Sequence, residues 1–92
     1  MAIKSRKKLK ETLEKHGIKL VGKGEYEKYP GMSFEAYGRD VHAYLQLEPG
    51  QRHKVERLLI EEGWHVIEDW NSSRNDCTSV RVSYFKAWHW DE

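Results

Sequence analysis

One cysteine, two prolines and no apolar run beyond a few residues are what this 92-residue chain has least of. A lone Cys77 can close no internal disulfide and build no cysteine-rich zinc site, so neither device holds the chain together. Runs such as Leu58-Leu59-Ile60 fall far short of the ~20 residues of a membrane helix, which excludes a span. An excess of one charge is also missing. Sixteen basic against 15 acidic side chains exclude a polyanion mimic and a histone-like chain held to nucleic acid by bulk charge. Internal repeats and low-complexity segments are absent. Gly22-Lys23-Gly24 is not followed by a helix carrying Lys-Ser/Thr, so there is no phosphate loop. Nothing calls for a cofactor. The basic N-terminus leads into no apolar stretch and does not read as a secretory signal. A cytoplasmic setting is expected.

Aromatic residues are plentiful. They make up 12% of the chain, with four Trp and five Tyr, and disordered chains are poor in them. The length suits one domain, residues 1–92, and a chain this short buries only about 60–65% of its unfolded surface. A few large aromatics must therefore fill much of the core.

The pattern predicts an α+β domain with the order α-β-β-β-α-β-β. Ile3, Leu9, Leu13 and His16 recur at helical spacing, with Ser5 as a cap and Gly17 as a stop, so a helix is expected over 3–16. Residues 18–26 begin with alternation and read as a strand loosened by Gly22 and Gly24. Residues 32–37 and 41–47 alternate strongly around Gly38-Arg39-Asp40 and read as a hairpin. There Val41, Ala43 and Leu45 face the core, and His42, Tyr44 and Gln46 face away. A second helix spans 51–62, with Val55, Leu58 and Leu59 inward and Gly63 as its stop. Strands follow over 64–70 and 78–88, with Val80, Val82 and Tyr84 opposite Arg81 and Ser83. One antiparallel sheet with both helices on one face buries these patterns. The expected core is Leu9, Leu13, Phe34, Val41, Ala43, Leu45, Val55, Leu58, Leu59, Val66, Val80 and Val82.

Catalytic signals are few. No pair of histidines has zincin spacing. His42, across the hairpin from Glu35 and Tyr37, and His65, two strand positions from Asp69, are the imidazoles with polar company. The acidic region Glu61, Glu62, Glu68, Asp69 and Asp76 lacks the ligand spacing of a calcium loop. No metal site is expected. Acidic neighbours disfavour the Cys77 thiolate, so that thiol is expected to be inert.

Two features remain. Residues 1–23 hold eight basic and two acidic side chains, and Trp88 and Trp90 stand near the C-terminus. The leading expectation is a non-enzymatic protein-binding module. Trp88 and Trp90 would anchor it, with Arg81 and Lys86 beside them on the last strand and Tyr37, His42 and Tyr44 on the hairpin. If the last strand forms a sheet edge, it also offers backbone for strand addition. An RNA- or single-stranded-DNA-binding module is the alternative. In that reading Lys4, Arg6, Lys7 and Lys8 meet phosphates while Tyr37 and Tyr44 stack bases. A small metal-independent nuclease built on His42 or His65 comes third. The element order is similar in outline to double-stranded-RNA-binding domains. The short, aromatic-rich profile resembles in type the small phage-encoded inhibitors of host machinery, such as anti-CRISPR proteins, which implies a larger protein or nucleoprotein machine as partner.

Overall fold

A computed structural model describes residues 5–67 and 78–88. Helix α1 runs Arg6–Lys15. Ser5 starts it from an extended conformation, and its hydroxyl accepts the Lys8 N–H at 3.4 Å. Leu9 and Leu13, one turn apart, enter the core. The helix stops where Gly17 takes φ +70°. The Gly17 N–H then reaches the Glu14 carbonyl and the Ile18 N–H the Leu13 carbonyl. This double bond pattern satisfies carbonyls that the helix leaves open, and it needs a residue that tolerates positive φ. Helix α2, Arg52–Glu61, ends in the same way. Gly63 turns at φ +91°, and the Gly63 and Trp64 N–H groups bond the Ile60 and Leu59 carbonyls.

Four strands make the sheet: β1 Met32–Tyr37, β2 Asp40–Gln46, β3 His65–Ile67 and β4 Ser79–Phe85. Their spatial order is β1-β2-β4-β3, and every neighbouring pair is antiparallel. Strands β2 and β3 are both antiparallel to β4, so they run parallel to each other. The chain must cross back between them, and α2 is the crossover. Val41, Ala43 and Leu45 of β2, Val80, Val82 and Tyr84 of β4, and Met32 of β1 point to one side. There they share a single cluster with Leu9, Leu13, Val55, Leu58 and Leu59. The α+β class, the two helices and the antiparallel sheet are thus as expected.

Three expectations change. Residues 18–26 form no strand. Gly24 sits at φ +75°, and a Cβ there would lie 2.6 Å from the Met32 carbonyl oxygen. The segment instead bends alongside the sheet, giving the Val21 N–H to the Gln46 carbonyl and the Glu25 N–H to the Met32 carbonyl. Without that strand the order is α-β-β-α-β-β, and the outline likeness to double-stranded-RNA-binding domains lapses. The last strand ends at Phe85 and passes into a 3-10 turn, Lys86–Trp88. It is also an interior strand, between β2 and β3, and β3 pairs with it over 81–83, so that stretch is closed to strand addition. Finally, Phe34 and Val66 pack against the core only half-buried, while Tyr29, Met32 and Trp64 are buried within it. Tyr29 lies in a tight turn, where its N–H bonds the Tyr26 carbonyl and its own carbonyl accepts the Met32 N–H.

Candidate functional site: the open face of the sheet

Both helices bury their apolar residues on one side of the sheet, and no described element packs over the other. Strand pairing sorts that open face into rows. Ser33, Tyr44, Arg81 and Ile67 form one row across all four strands, and Glu35, His42, Ser83 and His65 form the next. Tyr37, Asp40 and Phe85 form a third at the hairpin end. Tyr37 and Phe85 are 44% and 41% exposed, which is unusual for large apolar side chains in this fold.

Arg81 organises the centre. Its Nε and Nη2 lie 2.9 and 2.6 Å from Nδ1 of His42. The guanidinium carbon is 5.2 Å from the Tyr37 ring centre and 5.3 Å from that of Tyr44, within cation–π range of both. The Tyr37 ring stacks on the His42 imidazole, with centres 4.4 Å apart and planes 25° apart. Arginine only donates hydrogen bonds, so Nδ1 of His42 must present its lone pair. A neutral imidazole has one lone pair, so its proton resides on Nε2. Burial and the adjacent Arg81 charge both hold the His42 pKa below its ordinary 6.5, against the opposing pull of Asp40 and Glu35.

The phenols close the other flank. The Tyr44 hydroxyl donates to Oε2 of Glu35 at 3.5 Å. Hydrogen bonding to Glu35, then to Tyr44, pushes the Tyr37 phenol up to about 12. Glu35 and Tyr37 of β1 and His42 and Tyr44 of β2 therefore brace one another around the Arg81 guanidinium of β4. Among the described residues of this face, two acidic side chains, Glu35 and Asp40, stand against one basic side chain, Arg81.

The structure brings together Tyr37, His42, Tyr44 and Arg81 from the expected protein-binding set. Lys86 and Trp88 lie in the turn beyond β4. Trp90 lies outside the described residues, as do Cys77, Asp69, Asp76 and Lys4. The strand expected to carry Trp88 has already ended at Phe85. Phe85 itself is a face residue that the sequence reading did not single out, although its parity with Arg81 and Ser83 was the available signal.

The expected nucleic-acid set divides across the molecule. Arg6 is buried, its guanidinium 5.1 Å from the ring centres of both Tyr26 and Tyr29. Lys8 pairs with Glu11 at 3.5 Å and Lys15 with Glu62 at 3.1 Å. Helix α1 packs on the side of the sheet away from Tyr37 and Tyr44. A small cavity of about 200 Å³ on that side is lined by Leu13, Ile18, Tyr29 and Met32 and carries no catalytic constellation. Among the described residues, no three metal-ligating side chains cluster. No family model, no curated protein and no solved structure matches the chain.

Proposed function

We propose that this chain is a non-enzymatic protein-binding module that docks through the open face of its sheet, with Tyr37, His42, Tyr44 and Arg81 as anchors. One observation carries this reading. The four side chains form a braced aromatic–guanidinium platform on a face that no described element covers. Tyr and Arg are the residues that dominate protein interfaces when they are held rigidly. A platform ordered before binding loses little further side-chain entropy on docking.

Size and charge define the partner. Three strands of six or seven residues and one of three span at most roughly 19 by 23 Å, no more than about half the ~800 Å² that a stable interface buries per partner. The rims must therefore contribute, including the hairpin tip at Arg39 and Lys86 at the end of β4. The face itself is slightly acidic, which favours a neutral or basic protein surface and repels phosphates. Occupying one patch on a larger protein or nucleoprotein machine is the role that suits so short a chain, as in a small inhibitor.

The nucleic-acid alternative is weakened by position, because the basic helix and the stacking tyrosines lie on opposite sides of the sheet. The nuclease reading is weakened by chemistry. A general base needs a free lone pair, and that of His42 is held by Arg81.

The test compares three tagged chains in the native host: the wild type, Tyr37→Ala with Arg81→Ala, and Lys7→Glu with Lys8→Glu. The wild type and the helix variant should retain the same stoichiometric protein, and the face variant should lose it while keeping its melting temperature within a few degrees. Retention by the face variant would overturn the proposal. So would RNA or single-stranded DNA binding at low salt that Tyr37→Ala abolishes.

A further inference from the structure

Building on the docking reading, we propose that His42 is a proton-operated latch for the platform: the neutral ring holds Arg81 between Tyr37 and Tyr44, and a proton on Nδ1 releases it. The contact at Nδ1 cannot survive protonation of that nitrogen. Two guanidinium donors converge on Nδ1 within 2.6–2.9 Å. A proton placed there removes the acceptor and sets two cations against each other at hydrogen-bond distance. The ring itself stays in place, because Tyr37 stacks over it.

Among the described residues, each charged neighbour of the imidazole has a part in the exchange. Glu35 and Tyr37 face it from β1, Asp40 and Tyr44 from β2, Arg81 and Ser83 from β4, and His65 from β3. Once protonated, His42 gains partners in Asp40 and Glu35, while Arg81 must leave. Glu35 is also the carboxylate that Tyr44 bonds, so its capture by His42 loosens the phenol flank as well. The face would thus lose its central cation and one brace together. His42 resists protonation because it is partly desolvated and beside Arg81, which places the release below pH 6.5 and keeps the latch closed at neutral pH.

The consequence for docking is quantitative. One pH unit below the His42 midpoint, about one chain in eleven keeps the neutral ring. If only that form docks, apparent affinity falls about tenfold.

The decisive experiment needs no partner. In the full chain, long-range proton–nitrogen correlation spectra follow the His42 ring, the Arg81 Nε–H and the Tyr37 ring from pH 8 to 4.5. At pH 7.5 His42 should be the Nε2–H tautomer. Its midpoint should lie below 6.5, and the Arg81 and Tyr37 signals should move with that same midpoint. Arg81→Met should raise the midpoint, and His42→Asn should abolish the pH response of the Arg81 signal. A neutral-pH proton on Nδ1 would overturn the latch, as would Arg81 and Tyr37 signals that ignore the His42 titration. The wild-type titration decides the matter even if a variant fails to fold. Failure here leaves docking by the face intact, and failure of docking leaves this titration unchanged.

Discussion

The lone pair that His42 presents to Arg81 also makes the fold's stability depend on pH. The folded pKa lies below the ordinary 6.5. Between those two values the unfolded chain takes up a proton that the folded chain refuses. Stability from this group is therefore complete above about pH 6.5 and declines as the pH falls through the folded pKa. An Asn at this position places an amide oxygen near Nδ1 and does not titrate. Urea unfolding at pH 7.5 and 5.5 should show the wild type losing more stability between the two than His42→Asn. Equal losses would mean that the imidazole contact contributes nothing. Glu62 is shifted in the same direction by the opposite cause, neighbours that favour its charged form. His16 at 2.7 Å and Lys15 at 3.1 Å hold its carboxyl below its usual range, so its share of stability fades only in more acidic solution.

Among the elements, the segment between α1 and β1 shows what alternation can and cannot reveal. At Gly24 the backbone has positive φ, and the ideal Cβ position is crowded by Met32 and Gly31 backbone atoms; at Gly22 φ is also positive, but nothing lies within 4 Å. Gly22→Ala should therefore cost only the backbone strain, about 1 kcal/mol. Gly24→Ala must also displace main chain and should cost clearly more, several degrees further in melting temperature for a domain of this size. Similar losses for both would show that the close approach to Met32 is not rigid. The helix stops at Gly17 and Gly63 and the hairpin alternation were legible in the sequence because each is decided within a few residues. The platform was only half legible. Parity showed that His42, Tyr44 and Arg81 face away from the core, but Arg81 and His42 are 39 positions apart. No local signal says that β4 lies beside β2 and not at an edge. Tyr29 was missed for a related reason. A Tyr-Pro-Gly turn reads as surface, and the ring is buried by tertiary packing, with Arg6 and Phe34 among its neighbours and the core cluster around it.

At the scale of the molecule, the two sides of the sheet have different tasks. One carries the core and both helices, and the other is left as a braced polar–aromatic surface. Such a division leaves the outer strands to be managed, and at β1 the chain does so with one side chain. The Glu25 carboxylate accepts the outward Phe34 N–H at 2.8 Å, and the Glu25 N–H takes the Met32 carbonyl. A second molecule seeking to extend the sheet at this point finds these two groups already engaged, with a negative charge in the way. Sheet growth from this part of β1 is thereby opposed, while the tyrosine face on the other side is left for a partner. Replacing Glu25 with Ala should reveal how much that protection matters. The variant should remain folded yet sediment as concentration-dependent oligomers and bind amyloid-sensitive dyes on storage. A variant that stays monomeric at millimolar concentration would place the barrier to sheet growth elsewhere, in the shortness of the strands themselves.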